Sequence, residues 1–259
     1  RRNNVMRLKR LAAAEAPNPS LHPTCYSGLR PLPQAGELKR QPSRMRRILA
    51  IGGGGFLMES EPSPIDALVL RLTAKAKPRI CFVPTPSGDL PEHIEKFYSA
   101  FSPEACYPSH LSFFRPPSPG SLPLASFREH LLAQDAIYVG GGNTKSALGV
   151  WREWGAGEVF AQAYAVGILL AGVSAGAMCW FEAGLTDSYW GAGYQPLPCL
   201  GLLPGGCGVH YHSDHDRTSR LHAAVAVSAV PPSVAIDDFA AVLFENEVVS
   251  KAFSWAPIA

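Results

Sequence analysis

A layered α/β fold, a three-layer sandwich with a mostly parallel central sheet, is what this 259-residue sequence predicts. Two observations carry that expectation. Short apolar runs that stop at glycine recur along the chain: Ile48 to Ile51 before Gly52–Gly55, Ala136 to Val139 before Gly140–Gly142, and Ile168 to Val173 around Gly172. These runs lack a polar alternation, as expected of strands buried on both faces. Between them lie helical patterns, Glu92 to Phe101 and roughly 144–153 and 157–165. Such alternation of strand and helix calls for crossover connections and a parallel sheet.

Taken in chain order, Arg47–Ile51 is the first strand and Arg79–Val83 the second. The 103–123 segment, with Pro103, Pro108, Pro116, Pro117, Pro119 and Pro123, reads as loop around one strand at Leu111–Phe114. Ala136–Val139 and Ile168–Val173 follow as further strands, Ala175 to Phe181 continues as a helix, and Gly205–Val209 reads as a late strand. No internal repeat is present. A single domain over 45–259 is expected, preceded by a basic, Pro-rich and disordered extension over 1–44. Residues 1–47 carry a balance of +9 and residues 48–259 one of −7, within a net charge of +2. The leader has little aromatic interleaving and no period, so neither a nucleic-acid nor a membrane partner is expected.

Composition excludes other classes. With 47% hydrophobic residues the chain can build a core, and no run approaches the ~18 apolar residues of a membrane span. The start, Arg1-Arg2-Asn3-Asn4, lacks the apolar centre of a secretory signal. Six scattered cysteines without a CxxC pair read as reduced, buried thiols, and a cytoplasmic protein is expected.

Gly172-Val173-Ser174-Ala175-Gly176 matches G-x-S-x-G, and its setting gives the match its weight. An apolar strand enters, a helical stretch leaves, and glycines relieve crowding at the turn between them. Such a turn presents a serine hydroxyl at the carboxyl end of the sheet beside free backbone N–H groups and a helix N-terminus, which suits an oxyanion. A serine nucleophile needs a base, and the base an orienting carboxylate. Downstream lie His210, His212, His215 and His222, and among the carboxylates Asp187 occupies a polar turn 13 residues past the serine. Glu182 is the alternative, placed on the helix after the elbow.

Two other patterns compete. His210-Tyr211-His212-Ser213-Asp214-His215 spells H-x-H-x-D-H, the spacing of binuclear zinc hydrolases. Only 44 residues follow it, too few for the distal ligands of such folds. Gly52–Gly55 suggests a dinucleotide loop, but Leu57 stands where the third glycine of G-x-G-x-x-G belongs, and no G-K-[ST] occurs. Gly140-Gly141-Gly142-Asn143-Thr144 fits the second half of an oxyanion hole and a substrate-positioning backbone, or equally a helix cap with tight packing.

Three stretches together resemble the S51 serine peptidases, a family that includes peptidase E (aspartyl dipeptidase) and cyanophycinase. They are Ile137–Thr144, Ala171–Phe181, and Val209-His210-Tyr211 with Arg217 and Arg220 after it; the likeness spans about 46–250. The resemblance implies a flavodoxin-like fold close to the class I glutamine amidotransferase domain. It implies Ser174 as nucleophile, His210 as base, and oxyanion donors on the backbone of Ala175 and of Gly141 or Gly142, with Asn143 beside them. It leaves Asp187 or Glu182 as the third member. The implied activity is a serine dipeptidase acting through an acyl-enzyme on dipeptides or short peptides with N-terminal aspartate. Arg217 or Arg220 would take the substrate carboxylate, because a guanidinium binds carboxylates bidentately. Neither a metal nor an organic cofactor is implied, and a monomer or a homodimer fits equally. The alternatives are a cyanophycinase-like hydrolase of β-Asp-Arg units, a zinc hydrolase, and a non-catalytic binding domain.

Overall fold

The computed structural model describes residues 45–59, 63–213 and 215–255. The extension expected over 1–44, Cys25 and Asp214 therefore lie outside the described residues. The central sheet is built first from β1 (Arg47–Gly53), β2 (Arg79–Val83), β3 (Tyr107–His110), β4 (Ala136–Val139) and β5 (Leu169–Val173). Each apolar run faces both ways, as its lack of alternation requires. Ile48, Ala50, Cys81, Val83, Ile137 and Val139 enter one core, and Leu49, Ile51, Ile80, Phe82 and Tyr138 the opposite one.

Helices cover each face. α1 (Pro64–Leu72) and α2 (Pro91–Ala100) carry Ile65, Val69 and Phe97 onto the second face, where Phe56, Phe82, Phe97 and Phe101 pack as edge-on and stacked rings. α3 (Phe127–Leu132), α4 (Thr144–Trp154) and α5 (Ala156–Ala165) cover the first face. Trp151 is fully buried there, with its indole N–H donating to Thr85 Oγ1 at 3.1 Å and its ring 5.3 Å from Phe160. Trp154, by contrast, is surface-exposed beside Phe113. α4 starts where Asn143 Oδ1 accepts from Ser146 N at 2.8 Å, a cap that stabilises a helix by about 1 kcal/mol.

Beyond β5, α6 is confined to Ala175–Met178, and the chain then enters strands rather than a longer helix. β6 (Phe181–Thr186), β7 (Gln195–Pro198), β8 (Leu203–Val209), α7 (His215–Ala226) and β9 (Ser233–Ile236) follow. A hairpin of β10 (Ala240–Glu245) and β11 (Val248–Ser254) closes the chain. The seven-stranded sheet runs β11-β10-β1-β5-β4-β2-β3, parallel from β1 to β3, with β10 antiparallel to β1 and β11 antiparallel to β10. A second sheet, β7-β6-β8-β9, packs its Phe181, Leu203, Cys207 and Val209 into the first core.

Two expectations need correction. The strand sought at Leu111–Phe114 lies at Tyr107–His110 instead. It tolerates Pro108 because β3 is an edge strand, where a missing N–H costs no ladder bond. The stretch after Ser174 was expected to stay helical to Phe181 but turns into β6 after one turn of helix. Its neighbour β8 is poor in β-formers (Leu-Pro-Gly-Gly-Cys-Gly-Val), so propensity gives little sign of a sheet. Packing explains the composition. A side chain at Gly184 would overlap Met178, and one at Gly208 would overlap Leu221, so these glycines let α6 and α7 sit directly on the second sheet.

Four described cysteines (Cys81, Cys106, Cys179 and Cys207) are buried, Cys199 is partly so, and all are free thiols. Burial pushes Cys81 and Cys199 up to about 12, which keeps them in the unreactive thiol form. Among the described residues no helix is long and apolar enough to cross a membrane.

Candidate active site

The site forms where β5 breaks. Ser174 has φ 56° and ψ −114°, a conformation that costs a non-glycine residue about 1–3 kcal/mol. Its neighbours hold it there: Ser174 N donates to Ile51 O at 2.9 Å, and Ser174 O accepts from Ala177 N and Met178 N, both at 3.0 Å. The two glycines of the elbow are steric requirements. A Cβ on Gly172 would overlap the Gly176 carbonyl, and one on Gly176 would overlap the Val139 carbonyl.

β8 delivers His210, the candidate base. His210 follows its last residue with φ 50° and places Nε2 2.8 Å from Ser174 Oγ. Its Nδ1 meets Asp238 Oδ1 in a short hydrogen bond, and Ser213 Oγ donates to Asp238 Oδ2. The His210 and Asp238 side chains are 24% and 18% exposed, so a solvent path to the pair is narrow. Ser174, His210 and Asp238 thus stand in line at the carboxyl end of a parallel sheet, the arrangement that a serine nucleophile, its base and an orienting carboxylate require.

The third position corrects the sequence expectation. Asp187, at the end of β6, has a side chain 68% exposed whose charged neighbour is Arg217, with Nη2 3.8 Å from Asp187 Oδ2. Glu182 lies on β6 rather than on a helix, and its Oε2 accepts from Gly205 N at 2.8 Å, bracing β8. Neither carboxylate contacts His210; Asp238 does. Sequence reasoning ranked acids by their distance past the serine, whereas β9 returns its own trailing residues alongside β1.

That return explains the glycine run. Gly53 bridges Asp238, and a side chain there would overlap the Asp238 carboxylate and crowd the His210 ring; one at Gly52 would overlap the Asp237 carbonyl. Gly52-Gly53 is therefore the wall against which the His–Asp pair is seated, rather than a nucleotide loop. Gly53→Ala is expected to lower kcat by about a hundredfold, the cost of displacing a reacting group by roughly 1 Å. Steady-state assay with a peptide substrate checks this, and a kcat within threefold of wild type would refute it.

The remaining predicted residues distribute unevenly. Gly141 is buried beside the nucleophile, where a Cβ would lie 3.4 Å from Ser174 Cβ and 3.9 Å from Oγ. The N–H groups of Gly141, Gly142 and Ala175 find no partner among the described residues, which leaves them as donors to an oxyanion. Because α6 is a single turn, these amides rather than a helix dipole supply the field. The Asn143 side chain caps α4 and donates through Nδ2 to Ser188 O at 3.1 Å, so it shapes the crevice wall.

Arg217 is 8% exposed. Its Nε donates to Tyr194 Oη at 3.2 Å and its Nη1 to Val209 O at 3.0 Å, with the guanidinium 4.8 Å above the Tyr194 ring. It thus fastens the carbonyl just before His210. Arg220 is exposed on α7. In the H-x-H-x-D-H run, His210 is committed to Ser174 and Asp238, while His212 Nδ1 pairs with Asp237 at 2.8 Å. Among the described residues no three His, Cys, Asp or Glu side chains converge on a metal position.

The chain runs from β2 outward to β3, then returns to β4 on the other side of β2. At this switch point, where α/β sheets open a crevice, lies a cleft of about 560 Å³ reaching from Thr85–Gly88 to Gly142, Asn143, Asp187 and Trp190. Gly142, in its lining, directly follows Gly141 in the chain.

Fold and site together define an α/β hydrolytic enzyme with a serine elbow. The family model for peptidase family S51 matches residues 48–252, and the chain belongs to that family. It is a peptidase. A Bacillus subtilis (strain 168) protein described as "Uncharacterized peptidase YgaJ" is 43% identical over 211 residues, covering 81% of this chain and 88% of the relative. Among solved structures, a Listeria monocytogenes EGD-e protein described as a "Putative Peptidase E Protein" superposes with a TM-score of 0.58 at 17% identity, over 82% of this chain and all of that one. A peptidase from an acI-B1 Actinobacterium gives 0.57 at 16% identity, over 83% and 90%. At these identities the two structures bear on the fold alone.

Proposed function

We propose that the protein is a serine exopeptidase that removes N-terminal aspartate from dipeptides or short peptides through an acyl-enzyme. The 2.8 Å contact between His210 Nε2 and Ser174 Oγ is the observation that carries this reading. Ser174 Oγ attacks the scissile carbonyl while Nε2 takes its proton, and the amides of Ala175 and of Gly141 or Gly142 receive the oxyanion. His210, now an imidazolium held by Asp238, protonates the leaving amine. Water then repeats the sequence on the aspartyl ester. No step calls for a metal or cofactor.

The preference for aspartate rests on Arg217. Two of its nitrogens are spent on Tyr194 and Val209, and the third, Nη2, is turned toward Asp187 at the cleft, where a substrate β-carboxylate could share it. Arg220, exposed on α7, is the weaker candidate. A second reading, cleavage of β-Asp-Arg units, draws on the acidic rather than basic charge of the cleft lining. A panel of Asp-X, Glu-X, Asn-X and β-Asp-Arg peptides, followed by release of free amino acids, tests both. Asp-X peptides are expected to show the highest kcat/KM. A tenfold advantage for β-Asp-Arg would transfer the assignment to the second reading, and cleavage of none would end both.

A further inference from the structure

The H-x-H-x-D-H run is used only in part by the reading above: His210 faces Ser174, and the residues after it are left without a task. In the fold they act as a zipper. Past the ends of β8 and β9 the two segments keep their register. Tyr211 N donates to Ile236 O at 3.3 Å, and His212 meets Asp237 Oδ1 through its backbone N and its Nδ1, both at 2.8 Å. Ser213 Oγ then donates to Asp238 Oδ2. Backbone pairing thus hands over to side chains, one residue at a time. The turn that carries Ser213 is held elsewhere too. Ser213 N donates to His210 O at 3.2 Å, and Thr218 Oγ1 donates to Tyr211 O at 2.7 Å, which ties the turn to α7. The Asp238 carboxylate is therefore bounded on three sides. A Cβ on Gly53 would overlap Oδ1, His210 Nδ1 meets the same oxygen, and Ser213 takes Oδ2. Among the described residues no other donor reaches Oδ2. The last torsion of an aspartate is broad and poorly restrained by itself, so a hydrogen bond on the far oxygen is what keeps the near one aimed at its partner.

We propose that Ser213 is a positioning residue for the reaction: through Oδ2 it fixes the rotation of the Asp238 carboxylate, and with it the line from Asp238 through His210 to Ser174. It acts through Asp238 and touches none of the reacting atoms. The proposal rests on the serine-peptidase reading above and adds the group that keeps its acid oriented. The competing explanation is structural, with the whole ladder of contacts stiffening the turn and the one at Asp238 carrying no special weight.

The test compares wild type, Ser213→Ala, Ser213→Thr and His212→Ala on a cleaved peptide, and places Ser213→Ala in an Asp238→Asn background as well. Ser213→Ala is expected to lower kcat about tenfold or more, the usual scale for losing one hydrogen bond to a charged group, with KM within about twofold. Ser213→Thr keeps the hydroxyl and should recover most of the rate. His212→Ala cuts the neighbouring pair, whose side chains are 60% and 45% exposed, and should stay within about threefold of wild type. In the Asp238→Asn background Ser213→Ala should change kcat by less than about twofold, because the carboxylate it orients is gone. Thermal melts of each variant separate lost folding from lost orientation. A purely structural role would make His212→Ala as slow as Ser213→Ala and would leave the full Ser213→Ala factor in the Asp238→Asn background; either result overturns the proposal. If wild type cleaves the peptide and Ser213→Ala matches its kcat within twofold, only this inference fails. If wild type cleaves no peptide, the peptidase reading fails and takes the inference with it.

Discussion

Ser174→Ala is expected to lower kcat on a cleaved peptide by about four to six orders of magnitude, with binding of that peptide changed by less than about threefold. The hydroxyl is the only atom removed, so the cleft, the amides of Gly141 and Ala175 and the His210–Asp238 pair all remain. The residual rate would be what the oxyanion donors and positioning supply by themselves. Ser174→Gly should be as inactive as the alanine variant. It should also melt a few degrees higher, because glycine adopts φ 56° without the penalty that serine bears. Single-turnover kinetics, isothermal titration with the intact peptide and thermal melts measure the three quantities. Wild-type hydrolysis by either variant would rule out covalent catalysis at this residue.

Asp238→Asn carries the second-largest expected effect, a loss of about 10⁴ in kcat. The carboxylate accepts the Nδ1 proton of His210, which leaves Nε2 unprotonated and able to take the serine proton. An amide at 238 offers an N–H to Nδ1 instead, moving the ring proton to Nε2, where it blocks that transfer. The substitution changes shape very little, so KM should move far less than kcat. Glu182→Gln, whose partner is the Gly205 amide, is expected to stay within about twofold of wild type. Reversal of this order, with Glu182→Gln inactive and Asp238→Asn active, would restore one of the acids favoured by spacing along the chain.

The elements that the sequence disclosed share one property: their physical cause is local. Apolar runs without alternation mark strands buried on two sides, and those at β1, β2, β4 and β5 lie where the pattern puts them. The amphipathic stretches became α2, α4 and α5 on the same grounds. The elbow was legible because Gly172 and Gly176 are demanded by the turn itself. The second sheet was obscure because glycines in β6 and β8 serve the packing of α6 and α7, a long-range requirement that lowers local β-propensity. Trp151, Trp154 and Trp190 look alike in the sequence and end respectively in the core, on the surface and at the cleft.

The chain alone thus determined the layered α/β class, the serine at the elbow and the glycines beside it, because each depends on neighbours within a few residues. It left four histidines open as the base, and His210 was singled out by the family resemblance. Tertiary structure decided which acid completes the line. Asp238 follows His210 by 28 positions and meets it only because β9 pairs with β8 and the trailing segment crosses to Gly53 of β1. Hydrogen-bonded strands bring together residues by register rather than by separation along the chain. For the same reason Asp187, nearer the serine in sequence, was turned away from the imidazole and into the cleft.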